Sequence, residues 1–139
     1  MAVLRYMIDT DIASYAMKRT NRHVIDHLVR TEVGEVGVSV ITRGELLAGA
    51  FSSARRPQIE SALNVLVAHV GVLDLTDETV ADYADIRSVL KARGTIIGSN
   101  DLWIAAHARS LGLTLVTNNV REYGRVPGLK IENWTEPQS

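Results

Sequence analysis

Short apolar runs separated by helix-length segments constrain this chain more than any other feature of its sequence. Residues 3–8, 36–41, 70–75, 113–117 and 129–132 have the length and the Val, Ile and Leu content of strands. Between them, residues 12–18, 22–30, 42–51, 57–69, 76–93 and 99–111 carry apolar side chains at helical spacing or helix start and stop signals. Val80, Tyr83, Ala84, Ile86, Val89 and Leu90 recur in this way, with Thr76 as the expected cap and Gly94 as the stop. Gly112 closes the next helix in the same manner. Strands joined through helices pair in parallel by right-handed crossovers. The expected fold class is therefore α/β, a three-layer α/β/α sandwich with a four- to five-stranded, mostly parallel sheet. Residues 1–139 read as a single domain.

The absence of cysteine excludes disulfides, thiolate zinc sites, thiol nucleophiles and iron–sulfur clusters. Fifteen basic residues against sixteen acidic ones leave a formal charge of -1, so no global field holds a polyanion and any nucleic-acid grip is local. Candidates for that grip are Lys18, Arg19, Arg22, Arg43, Arg55, Arg56 and Arg121. Arg5 and Asp9 break the opening apolar run, which does not have the layout of a signal peptide. No uncharged stretch approaches the roughly 18 residues needed to span a bilayer. A cytoplasmic location without membrane attachment is expected.

Ligands of parallel sheets bind beyond the carboxyl ends of the strands. Asp9 stands at the end of the first strand, Glu45 one helical turn past the second, and Asp101 on the first turn of the helix before the fourth. Thr117, Asn118 and Asn119 follow the fourth strand. Taken singly, each acid has a plainer explanation. Asp9-Thr10-Asp11 can cap a helix, Thr42-x-x-Glu45 fits a capping box, and Ser99-Asn100-Asp101 reads as a cap with an acid favoured by the helix dipole. Those explanations do not account for three acids at neighbouring strand ends. Crowded oxygen ligands suit a hard cation such as Mg²⁺ or Mn²⁺. His23 and His27 read as a surface face, His69 as structural, His107 as packed or partly exposed, and Trp103 and Trp134 as packing residues. Nucleotide-binding glycine loops, H-E-x-x-H and G-x-S-x-G are absent.

Four stretches and the tail resemble PIN-domain ribonucleases, and VapC-type toxins of toxin–antitoxin pairs in particular. The stretches are Met-Ile-Asp-Thr-Asp at 7–11, Ser-Val-Ile-Thr-Arg-Gly-Glu-Leu-Leu-Ala-Gly-Ala at 39–50, Ile-Gly-Ser-Asn-Asp-Leu-Trp-Ile-Ala-Ala-His-Ala at 97–108 and Leu-Val-Thr-Asn-Asn-Val-Arg-Glu-Tyr at 115–123. The tail is Arg-Val-Pro-Gly-Leu-Lys-Ile-Glu-Asn-Trp at 125–134. The resemblance implies catalytic roles for Asp9, Glu45, Asp101 and Asn119. Asp9 and Asp101 would be ligands of one or two Mg²⁺ or Mn²⁺ ions, with Asp11, Thr42 and Thr117 as polar support. Glu45 would serve as base or as metal support. Asn119 stands where many PIN domains carry a fourth Asp, which removes one negative charge. The implied activity is hydrolysis of phosphodiesters in structured RNA, such as a tRNA anticodon loop or an rRNA loop, leaving a 5′-phosphate and a 3′-hydroxyl and inhibiting translation. A VapB-type antitoxin, a homodimer and a higher toxin–antitoxin assembly are implied with it. Two rival readings are a haloacid-dehalogenase-like phosphatase using Asp9 and Asp11, and a non-catalytic RNA- or protein-binding module. Against the first, Ala13 breaks the phosphatase pattern; against the second, all three acids are intact.

Overall fold

The computed structural model describes residues 2–137. In it, five strands form one sheet with every pair parallel: β1 (Tyr6–Ile8), β2 (Val36–Ser39), β3 (Val72–Leu73), β4 (Thr114–Val116) and β5 (Lys130–Glu132). Their order is β3-β2-β1-β4-β5. The chain builds outward from β1 to β3 on one side, then crosses back to lay β4 and β5 on the other. The reversal leaves a switch point at the carboxyl ends of β1 and β4, where such sheets bind ligands. Met7 pairs with Leu115, and Ile8 with Val116, in that central register.

Seven helices connect the strands: α1 (Thr10–Lys18), α2 (Arg22–Val29), α3 (Val40–Phe51), α4 (Arg56–Val70), α5 (Asp77–Ala92), α6 (Ser99–Ser110) and α7 (Val120–Tyr123). Side chains alternate across a strand, so β1 feeds both faces of the sheet. Met7 joins Leu115, Ile86, Leu90, Ile104 and Ala108 under α5 and α6. Ile8 joins Val116, Ile12, Val24, Leu28 and Leu66 under α1, α2 and α4. This is the expected three-layer sandwich, and Ile104, Ala105, Ala106 and Ala108 are fully buried in it. Trp134 closes the second core, edge-on to Tyr6 and stacked on His27 at 4.8 Å between ring centres. Trp103 stacks on Tyr83. No helix among the described residues is long and apolar enough to cross a membrane.

Helix ends follow local chemistry. Gly94 and Gly112 both adopt φ 68°, and the amides beyond them reach back to Leu90 and Ala108, so both stops form where the sequence places them. Thr76 caps α5, with Thr79 answering in a capping box. Several expectations need correction. Strand β2 ends at Ser39, not at residue 41, because the Ser39 hydroxyl accepts from the Ile41 amide and starts α3 there. Thr42 and Glu45 are therefore inside α3 and form no capping box. Helix α6 is capped by Gly98 without a side-chain bond, so Ser99 is no cap either. Strand β3 is only two residues long. His69 is exposed at the end of α4, not built into the structure. His27 is half-buried against Trp134, not on an open face.

Candidate active site

Asp9 occupies the first position after β1, and its own amide extends the ladder by bonding to the Val116 carbonyl at 2.9 Å. One carboxylate oxygen caps α1 by accepting from the Ile12 amide at 2.9 Å. The plain capping explanation of Asp9 thus holds, but it uses only Oδ1. The carboxylate also lines a cleft of about 190 Å³ at the carboxyl edge of the sheet, together with Thr10, Asp11, Glu45, Asp101, Asn119 and Tyr123. Water fills about 30 Å³ per molecule in the liquid, so the cleft has room for an ion with several oxygen ligands. Three separate segments bring the acids there: the β1 exit, the second turn of α3 and the first turn of α6.

Each acid is held by a neighbour. Thr117, fully buried after β4, hydrogen-bonds the Asp9 carboxylate. The Thr117 Oγ1 also accepts from the Asn119 amide at 2.9 Å. Thr10 Oγ1 donates to Glu45 Oε1 at 2.6 Å and lies 3.1 Å from the Oγ1 of buried Thr42. Asn100 Nδ2 reaches the other Glu45 oxygen at 3.4 Å. The Tyr123 hydroxyl bonds to the Asp101 carboxylate. Asn119 caps α7, accepting from the Glu122 amide and donating its Nδ2 to the Glu122 carboxylate. Asp11 is exposed at the rim.

Electrostatics marks the same place. Burial pushes the Asp9 carboxyl up to about 6, and the charges of Asp11 and Asp101 add to it against the hydrogen bonds from Thr117 and Ile12. Asp101 is also raised, first by burial and then by the charges of Glu122, Glu45 and Asp11. Burial, followed by the charges of Asp101 and Asp9, holds the Tyr123 phenol protonated. No Lys or Arg lines the cleft among the described residues. Oxygen donors that repel one another and have no cationic side chain among them fit a hard divalent ion. No three His, Asp or Glu side chains among the described residues gather closely enough to hold an ion by themselves. A pair of carboxylates with water and phosphate completing the shell is the usual Mg²⁺ arrangement, and Asp9 and Asp101 both line this cleft.

None of the seven basic candidates lines the cleft. Arg121 is exposed on α7 beside Asn119, and Arg43 is exposed on α3. Arg55 and Arg56 begin α4, with Arg56 paired to Glu60 and set over the Phe51 ring. Lys18 and Arg19 end α1, Arg19 lining an apolar groove between α1, α2 and α4, and Arg22 lines a different cleft with His23, Asp26 and His27. Sequence reading missed Thr10 and Tyr123. Thr10 lies between two acids and was open to notice, whereas Tyr123 sits in a four-residue helix that has no periodicity to read.

A family model described as PIN domain matches residues 6–129. Ribonuclease VapC2 of Haemophilus influenzae is 38% identical over 132 residues, covering 95% of this chain and 99% of that protein. The chain belongs to the PIN-domain family of VapC ribonucleases. Another VapC relative, the tRNA(fMet)-specific endonuclease VapC of Salmonella typhimurium, is 33% identical over 132 residues, covering 95% of this chain and 99% of its own. The PIN fold is shared with VapBC2 of Rickettsia felis, solved on a DNA fragment from its promoter, at a TM-score of 0.88 and 33% identity, over 94% of this chain and 99% of that one. It is shared likewise with VapBC-1 of nontypeable Haemophilus influenzae, at a TM-score of 0.86 and 36% identity, over 96% and 100% of the two chains. The VapC kinship leaves the phosphatase and the inert binding module without support.

Proposed function

We propose that the chain is a divalent-metal-dependent endoribonuclease, acting as one domain in the cytoplasm as the toxin of a toxin–antitoxin pair. The observation that carries this reading is the meeting of Asp9, Glu45 and Asp101, from three separate segments, in one cleft without a cationic side chain. Asp9 and Asp101 would hold Mg²⁺ or Mn²⁺, with room for one ion or two. When bound, the ion supplies Lewis acidity, which makes water a usable nucleophile near neutral pH and offsets charge on the phosphodiester. Thr117 and the Ile12 amide orient the Asp9 carboxylate, and Tyr123 orients that of Asp101. Thr10 and Asn100 hold both oxygens of Glu45 toward the cleft, where it accepts a proton or supports the ion's shell. Asn119 contributes a neutral amide where a fourth acid would add repulsion. Arg43, Arg55, Arg56 and Arg121 receive the RNA backbone, while Lys18, Arg19 and Arg22 provide a more distant grip.

The substrate is structured RNA, a tRNA anticodon loop or an rRNA loop whose splayed nucleotides reach the cleft, and its cleavage inhibits translation. The partner is a VapB-type antitoxin, as in the VapBC complexes among its structural relatives. Its inhibitory segment lies across the acidic cleft and sets Arg or Lys among carboxylates that have no cation of their own. A homodimer within a larger toxin–antitoxin assembly completes the proposal. Expression of the chain alone in bacteria tests the reading. Growth is expected to arrest, and Asp9→Asn or Asp101→Asn to relieve the arrest while the protein stays folded. Arrest that persists in both variants at equal expression assigns the toxicity to something other than this cleft.

A further inference from the structure

His107 is a fully buried ring whose two nitrogens both have partners. Nδ1 lies 2.9 Å from the Ser39 hydroxyl oxygen, and Nε2 lies 2.9 Å from the Asp74 carbonyl oxygen. A carbonyl only accepts, so Nε2 carries the proton. Burial holds the ring below its ordinary pKa, so it is neutral and Nδ1 offers a lone pair to the Ser39 O–H. Ser39 then uses its own lone pair to accept from the Ile41 amide at 3.1 Å, which is the N-cap of α3. Three hydrogen bonds therefore run in one direction, from the first turn of α3 through Ser39 and His107 to the exit of β3.

The two helices joined by this relay are those that carry Glu45 and Asp101. Glu45 lies six residues after Ser39 on α3, and His107 six residues after Asp101 on α6. At a rise of about 1.5 Å per residue, the anchor sits about 9 Å along α6 from Asp101, behind the cleft. At the cleft itself the only hydrogen bond between the two helices among the described residues is the 3.4 Å contact from Asn100 to Glu45. We infer that His107 is a positioning residue for the acidic cleft: by tying the cap of α3 to α6 it sets the placement of Glu45 relative to Asp101. This rests on the reading of the cleft as the active site.

The test compares His107→Leu, which removes both bonds at similar volume, with His107→Gln, which retains one donor and one acceptor. Four quantities are measured well below each melting temperature: amide exchange at Ile41, Mn²⁺ affinity by calorimetry, and kcat and KM on RNA. Groups hydrogen-bonded directly to metal ligands are typically worth about 10- to 100-fold in metal affinity or activity; His107 acts further back through the relay, so a loss of about threefold to tenfold is expected. His107→Leu is expected to lose that much in Mn²⁺ affinity and kcat with KM unchanged, and its Ile41 amide to exchange faster, while His107→Gln recovers most of each. Nitrogen NMR of the wild type is expected to show a protonated Nε2 and a bare Nδ1. If His107→Leu does not fold, Ser39→Ala cuts the same relay and carries the same expectation. The inference is overturned if the folded variants lose only melting temperature, if His107→Gln is as impaired as His107→Leu, or if the opposite tautomer is found. A wild type that binds no Mn²⁺ overturns the metal reading instead, and the exchange rates at Ile41 then decide the role of His107 alone.

Discussion

The hydroxyl of Thr10 stands 2.6 Å from Oε1 of Glu45 and 3.1 Å from Oγ1 of Thr42, so its single proton has two acceptors within reach. The charged acceptor takes it, because bonds to ionised groups are shorter and stronger. Thr10→Val keeps the branched shape but removes the donor. Hydrogen bonds to charged groups are worth about 1.5–3 kcal/mol, so cleavage is expected to slow by about tenfold or more. Melting falls as well, because the same bond contributes to stability, and Thr10→Ser keeps most of the activity. Steady-state kinetics on the three proteins check this; equal kcat in Thr10→Val and wild type removes Thr10 from the site.

Asp9 contributes to the pH dependence of the metal-free protein, in the same direction as Asp101. Its carboxyl is raised from 3.8 to about 6, chiefly by burial. As pH rises from about 4 to 6, the unfolded chain loses this proton before the folded one does. Metal-free stability therefore falls through that window and stays lower above it. The shift corresponds to at most about 3 kcal/mol, at 1.36 kcal/mol per pKa unit. Asp9→Asn retains a side-chain oxygen to cap α1 and carries no charge. In EDTA it should melt several degrees above wild type at pH 7 and converge with it at pH 4. Mn²⁺ should raise the melting temperature of the wild type alone. Melting curves from pH 4 to 8, with and without the ion, measure both effects.

Asn119→Asp adds a fourth acid to the cleft. It also replaces an amide that donates to Glu122 with a second carboxylate beside it. Two like charges about 4 Å apart cost about 4 kcal/mol at an effective dielectric near 20, before relaxation. The variant should melt lower than wild type at pH 7 in EDTA and recover as pH falls and the carboxylates take up protons. It should bind Mn²⁺ more tightly, with a second ion where charge permits. Calorimetric titration with melting in EDTA decides; unchanged affinity and unchanged melting would show that position 119 does not act on the cluster.

Arg109 provides a contrast, because it stabilises without touching the site. Its guanidinium joins Asp82 and Asp85 of α5 and the Pro127 carbonyl from one half-buried position on α6. Arg109→Lys cannot make all three bonds. A loss of about 1–3 kcal/mol is expected, with Mn²⁺ affinity unchanged. Denaturant unfolding and calorimetry together check the separation of stability from binding.

Much of this arrangement is legible in the sequence because parallel sheets force it. The apolar runs and intervening helices dictate a doubly covered sheet, and Asp9 at a strand end then has to face the carboxyl edge. Gly94 and Gly112 are equally readable, since a left-handed stop favours glycine. The start of α3 is not. Val40 and Ile41 continue a β-branched run, and an apolar first helical turn looks like more strand. The partners of His107 are 68 and 33 residues away in the chain, so only the folded chain reveals them. The direction of the Thr10 hydroxyl is tertiary in the same sense. Charge alone singles out the basic residues in the sequence, and the fold sends Lys18, Arg19 and Arg22 down α1 and α2 away from the cleft while leaving Arg121 two residues from Asn119 at its lining.

Cleavage of a structured RNA by the purified protein, with Mg²⁺ or Mn²⁺ and again in excess EDTA, tests the central claim most directly. The account predicts cleavage only with the ion, products ending in 5′-phosphate and 3′-hydroxyl, and loss of cleavage in both Asp9→Asn and Asp101→Asn. Undiminished cleavage in EDTA, or full activity in both variants, would contradict it.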